Sequence, residues 1–125
     1  MICRSLVAAV FLAGLMPVLA APIAPGIGEQ TAPLTEPLEI FTYRPANCTP
    51  TGYLLVFHGV DRNADTYRDD AEPLADRFCL IAVAPLFDKQ RFPNWRYQHG
   101  GVVHRGAAQR PEHYTASSFS IWSIG

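Results

Sequence analysis

Apolar residues cluster into two short runs with a periodic stretch between them. Tyr53-Leu54-Leu55-Val56-Phe57 is continuous and stops abruptly at His58-Gly59. A run of that length, bounded by turn residues, predicts a strand buried on both faces, as in a parallel sheet. Leu80-Ile81-Ala82-Val83-Ala84, closed by Pro85, predicts a second such strand. Between them Tyr67, Ala71, Leu74, Ala75 and Phe78 recur at offsets of 4, 7, 8 and 11, which is one face of a helix. Arg68, Asp69, Asp70, Glu72, Asp76 and Arg77 fall mostly opposite, as a solvated face. Asp61 and Asn63 are candidate caps. Pro73 cannot donate to the carbonyl of Asp69, so a kink is expected there, or a regular helix that starts near it. Strand, helix and strand within about thirty residues make a βαβ unit with a right-handed crossover. His58-Gly59 and Pro85-Leu86-Phe87-Asp88 then emerge on one edge of the sheet, where open α/β sheets place ligands.

The flanking pattern is weaker. Residues 21–37 carry Pro22, Pro25, Pro33 and Pro37 with Gly26 and Gly28, and read as an extended leader without a packed core. Leu38 to Arg44 partly alternates and is rich in β-formers, which predicts a strand near a sheet edge. Pro45 to Gly52 is the turn into the central strand. Arg91 to Gly101 mixes aromatics, arginines and breakers, as an ordered surface loop does. Arg110 to Tyr114 would start a helix with Pro111 in its first turn. Residues 116–125 form a serine-rich tail with little helical character. Residues 1–20 have Arg4, an apolar run over Leu6 to Leu15, and Val18-Leu19-Ala20, the pattern of a signal peptide cut after Ala20. The run falls short of the roughly 20 apolar residues of a spanning helix, so export to the periplasm or beyond is expected, without a stable membrane anchor.

Composition narrows the function classes. The chain has 125 residues, 49% apolar and 17% charged, enough for one small globular domain. A net charge of −1 leaves no basic face for nucleic acid. Without the first twenty residues the cysteines are Cys48 and Cys79, which precede the two apolar runs. In an oxidising compartment they would form a disulfide contributing roughly 3 kcal/mol, with two buried thiols as the alternative. His99, His104 and His113 lie 5 and 9 apart, neither a helical pair nor a compact zinc signature, so no metal or cofactor is implied. Ser117 or Ser118 with His113 as base lacks the strained turn a serine nucleophile needs.

The residues Leu54 to Gly59, Asn63-Ala64 with Tyr67, Leu74-Ala75 with Phe78, and Val83-Ala84-Pro85 together resemble the first third of an α/β-hydrolase. The closest subgroup is the secreted esterases similar to poly(3-hydroxyalkanoate) depolymerases. Arg91-Phe92-Pro93 with Trp95, Tyr97 and Gly100-Gly101 is similar to that group's loop after the second strand. The resemblance covers about Leu38 to Thr115 and implies a domain over 38–115, a mostly parallel sheet with flanking helices, and an ester or polyester substrate. It implies that Val60, and next Asp61, donate oxyanion amides, while His58 and Gly59 support that loop and His58 does not act as base. Phe87, Phe92, Trp95 and Tyr97 would either line an apolar cleft or pack the loop onto the core. The family's serine sits on a Gly-x-Ser-x-Gly elbow, followed by an acid and a histidine. No Gly-x-Ser-x-Gly occurs in the 125 residues. The expectation is therefore an incomplete α/β-hydrolase fold, truncated before the nucleophile elbow and inactive as it stands. The rival is a secreted non-catalytic module that binds through exposed aromatics, Phe92 to Tyr97 and Phe119 with Trp122.

Overall fold

The structure, a computed structural model, describes residues 22–34 and 36–119. The signal-peptide reading and the end of the serine-rich tail lie outside those residues. Within them the chain forms β1 (Gly26–Ala32), β2 (Leu38–Arg44), β3 (Gly52–Leu55), α1 (Ala64–Phe78), β4 (Leu80–Pro85), α2 (Asn94–Tyr97), β5 (Val103–His104) and β6 (Ala107–Ala108).

β3 and β4 pair in parallel, Gly52 opposite Leu80 through Leu55 opposite Val83, with α1 as the crossover. That is the predicted βαβ unit. The rest of the sheet departs from expectation. Its order is β1-β2-β4-β3, and the β1–β2 and β2–β4 pairings are both antiparallel. The described sheet is thus mixed rather than mostly parallel: β1 and β2 form an antiparallel hairpin, and the crossover from β3 sets β4 between β3 and β2, antiparallel to β2. The fold is α/β, with one helix covering a four-stranded sheet.

Two strand readings need correction. The Pro/Gly-rich segment contains β1, which pairs with β2 along all seven residues from Gly26–Arg44 to Ala32–Leu38. Its prolines sit at or beyond the ends, at Pro25 and Pro33, so they bound the strand without breaking its ladder. β2, expected near an edge, is therefore interior. Conversely β3 is not buried on both faces. Tyr53 is 68% exposed, Leu55 61% and Phe57 51%, whereas Leu54 and Val56 turn inward to pack beside Ala71, Ala75 and Ala82. Side chains alternate along a strand, and β3 has a ladder partner on one side only among the described residues.

Helix α1 runs unbroken from Ala64 through Pro73. Pro73 is exposed, so its ring and the carbonyl it leaves unbonded face solvent. The buried face is Ala64, Arg68, Ala71 and Ala75, shifted from the predicted one: Leu74 and Phe78 are exposed, and Arg68 is not. Alanines at this seam let the helix lie close on β2 and β4. Arg68 reaches its place by extending over the Phe41 ring at 5.9 Å while its guanidinium pairs with Asp69.

The helix ends at Cys79, whose left-handed backbone (φ 51°) turns the chain into β4 and whose side chain is joined to Cys48. The Cα atoms are 6.1 Å apart, and the Thr51 amide donates to the Cys79 carbonyl at 3.1 Å. The bridge thus fastens the entry of β3 to the entry of β4, the two apolar runs that these cysteines precede in the sequence. After α2, a tight hairpin joins β5 to β6 through Arg105 and Gly106, both with positive φ (51° and 78°), a conformation fitted to two-residue hairpins. Pro111–His113 then makes a short 3₁₀ turn with proline at its start, in place of an α-helix.

Candidate functional site

The carboxyl end of β3 carries His58 and Gly59, and the loop after β4 starts beside it. His58 is buried, and both of its ring nitrogens are engaged. Nδ1 lies 3.0 Å from the Gly59 carbonyl oxygen, and Nε2 accepts the Phe87 amide at 3.0 Å. A carbonyl only accepts, so Nδ1 carries the proton and the imidazole is neutral. Burial, and then the neighbouring Arg62 cation, push its pKa below the ordinary value of 6.5, outweighing the opposing bond to Gly59. The His58 carbonyl accepts the Tyr97 hydroxyl at 2.7 Å.

Gly59 opens a turn whose Arg62 amide donates back to the Gly59 carbonyl at 3.3 Å. A Cβ at Gly59 would stand 3.0 Å from the Tyr67 hydroxyl, closer than side chains normally pack, so α1 approaches the backbone here. Val60 and Asp61 occupy the crest of the turn and are exposed. Their amides donate to no group among the described residues. A pair of uncommitted amides on a turn held from both sides is the arrangement that stabilises a developing oxyanion, provided a reacting carbonyl reaches it.

Arg62 closes the turn. It has a left-handed backbone (φ 63°) and is buried. Nη1 donates to the Phe87 carbonyl at 2.9 Å, and Nη2 to the Phe92 carbonyl at 2.9 Å and to Asn94 Oδ1 at 3.0 Å. The guanidinium also lies over the Tyr97 ring, 4.4 Å from its centre. Sequence reasoning passed over Arg62 and Asn94, because a charged residue in a polar loop reads as solvated. The available signal was a short one, an arginine four residues after the histidine and directly before the helix cap Asn63.

The four aromatics proposed for a cleft separate. Phe87 and Phe92 are 1% and 0% exposed and form a core cluster with Leu38, against which Leu34 and Tyr97 also pack. They are packing residues and line no open cleft, because the loop folds back onto the start of β2. That return is held by Arg91, which donates to the Pro37 carbonyl and pairs with Asp88, and by Arg96, which pairs with Glu36 at 2.7 Å. Burial alone would raise the Asp88 pKa, but the bonds from Arg91 and Gln90 outweigh it and hold the carboxyl below its ordinary 3.8. Tyr97 stacks on Phe87 with ring centres 4.8 Å apart. Trp95 stacks on His104 at 4.3 Å, nearly parallel, and both are half-buried. Among the described residues no three His, Cys, Asp or Glu side chains converge as metal ligands would, and no helix is long and apolar enough to cross a membrane.

The fold sets the chain beside polymer-degrading hydrolases, as the resemblance in its sequence implied. In particular it is similar to the structure of poly(aspartic acid) hydrolase-1 from Sphingomonas sp. KT-1, with a TM-score of 0.65 and 32% identity over 77% of this chain and 38% of that one. It is likewise similar to a poly(3-hydroxybutyrate) depolymerase from Bordetella parapertussis, with a TM-score of 0.61 and 33% identity over 74% of this chain and 34% of that one. The chain therefore spans little more than a third of the length of either enzyme. No protein-family model and no curated protein matches it.

Proposed function

We propose that this chain is the amino-terminal portion of an exported α/β-hydrolase that cleaves carboxylic esters, and that it supplies the oxyanion loop of that enzyme. The observation that carries the reading is the turn after β3. Val60 and Asp61 present uncommitted amides between two residues, His58 and Arg62, that are both fastened to the loop after β4. In acyl transfer such donors act on the tetrahedral intermediate, and each is worth about 2.7–4 kcal/mol in the transition state. His58 serves as a neutral strut. It has no free nitrogen with which to take a proton from a nucleophile.

The nucleophile does not come from these residues. No Gly-x-Ser-x-Gly is present, and the chain by itself is inactive in this proposal. Polymeric esters are the favoured substrate class, since one structural neighbour is a polyester depolymerase and the other acts on a polymer. The Cys48–Cys79 disulfide supports export, because such bridges persist in oxidising compartments. The rival reading, a binding module with an aromatic surface, loses its support over residues 92–97, where Phe92 is buried and Trp95 and Tyr97 pack on other rings.

Two measurements test the proposal. The purified chain turns over no p-nitrophenyl butyrate above buffer; robust turnover would overturn the missing-nucleophile reading. A chimera in which residues 22–119 replace the aligned segment of the Bordetella parapertussis depolymerase hydrolyses the same ester. A folded but inert chimera counts against the oxyanion assignment.

A further inference from the structure

We infer that Arg62 is a positioning residue for the Val60 and Asp61 amides: its guanidinium fastens the turn that carries them to the loop following β4. The inference rests on the oxyanion reading of that turn and adds the device that makes the turn rigid.

The argument starts from what is gripped. Phe87 is held from two directions, its amide by His58 Nε2 and its carbonyl by Arg62 Nη1. Tyr97 is held in the same double way, its hydroxyl bonded to the His58 carbonyl and its ring lying under the Arg62 guanidinium. The residues on either side of the crest, His58 before the turn and Arg62 at its close, therefore both clasp the same two residues of the facing loop. The crest between them, Val60 and Asp61, stays exposed. Fixing both ends of a short turn fixes its crest, and no direct contact to the crest is required.

Charge makes the choice of residue informative. Burying a guanidinium costs desolvation that neutral acceptors offset only in part. Among the described residues no carboxylate pairs with Arg62, and its Nε has no partner. An apolar side chain of similar length would fill the space at lower cost. What it would lack is the planar fork, which reaches two carbonyl oxygens and an amide oxygen across residues 87–94 at once. The left-handed backbone of Arg62 points the same way. That conformation is sparsely populated for residues with side chains and persists where surrounding bonds over-determine it. Three side-chain bonds and the turn bond to Gly59 supply that constraint.

The test is backbone ¹⁵N relaxation on the full chain and on Arg62→Met, Arg62→Lys and Asn94→Ala, with thermal midpoints recorded in parallel. In the parent, order parameters at Val60 and Asp61 match those of β2 and β4, about 0.85. In both Arg62 variants they fall below about 0.6 while the β2 and β4 values hold. Lysine fails like methionine, because the fork and not the charge does the fastening. Asn94→Ala, which removes one of three acceptors from a half-open site, gives a smaller drop at the same two amides. Should Arg62→Met not fold, the lysine and Asn94 variants still decide the matter. Order parameters unchanged at Val60 and Asp61 with a lowered thermal midpoint would reduce Arg62 to a stability residue and overturn the inference. A uniform loss of order along the chain would do the same. Because the readout involves no turnover, its failure stays distinct from an inert chimera.

Discussion

His58 cannot be charged and keep its place. Its Nε2 lone pair receives the Phe87 amide, and a second proton would put two donors face to face. Burial first and Arg62 second depress its pKa in the folded chain below the ordinary 6.5. A depressed folded value means that the unfolded chain takes up the proton more readily. The stabilisation is thus complete above about pH 6.5 and is lost as pH falls from there through the lower folded value. The thermal midpoint of the chain should decline through that window. His58→Gln, which has no proton to gain there, should start from a lower midpoint and stay flat. Equal slopes in the two proteins would show that other groups carry the acid response. At this scale the sequence displayed half of the site. His58-Gly59 stands out because an apolar run ends there, a local and visible event. Arg62 does not, because its meaning lies in bonds to residues 25 to 32 positions away. A still longer separation hides the fate of Phe87 and Phe92, whose partner Leu38 precedes the whole βαβ unit.

Elements were legible where pattern and burial agree, and misread where one residue type carries two meanings. Leu80–Pro85 is an interior strand as its apolar run predicts, with Ala82, Ala84 and Pro85 buried and Leu80, Ile81 and Val83 half-buried. Gly26 to Ala32 has the glycines of a loop, yet it is a strand whose glycine has a packing reason. Gly28 lies opposite Thr42 in the β1–β2 register, and a Cβ there would come within 2.8 Å of Thr42 Oγ1. Thr42 is 2% exposed, so its hydroxyl has no open space to swing into. Gly28→Ala is accordingly expected to destabilise the chain by about 1–3 kcal/mol, the usual cost of overpacking. Combining it with Thr42→Ala should recover part of that loss, and denaturant unfolding of the four proteins of this cycle measures the coupling. Additive losses would place the strain elsewhere. Helix α1 taught the complementary lesson. Its period was legible, but its phase was set by small residues: Ala64, Ala71 and Ala75 take the seam against the sheet, while the larger Leu74 and Phe78 remain outside.

For the whole molecule, the sheet has two edge strands, β1 and β3, each with a ladder partner on one side only among the described residues. The Arg91 and Arg96 ties to residues 36–37 fasten the loop after β4 to the start of β2, and the Cys48–Cys79 bridge joins the entries of β3 and β4. At its edge β3 bonds to β4 alone among the described residues, so the outer N–H and C=O groups of Gly52–Leu55 have no ladder partner there. Along the same strand Tyr53, Leu55 and Phe57 project from the sheet face opposite α1, more than half exposed. An unpaired strand edge with alternating large apolar side chains is a template for another strand, since pairing satisfies the backbone and buries the apolar row together. The sequence foreshadowed this in the continuous run 53–57, a composition suited to burial on both faces. It could not tell that one of those faces would lack a neighbour in the described residues. The chain should therefore self-associate as its concentration rises, and Leu55→Lys should suppress this by placing a charge on the edge. Sedimentation velocity over a hundredfold concentration range separates the outcomes. A chain that stays monomeric throughout, with the lysine variant indistinguishable from it, would mean that the β3 margin is covered in solution, and the apolar row with it.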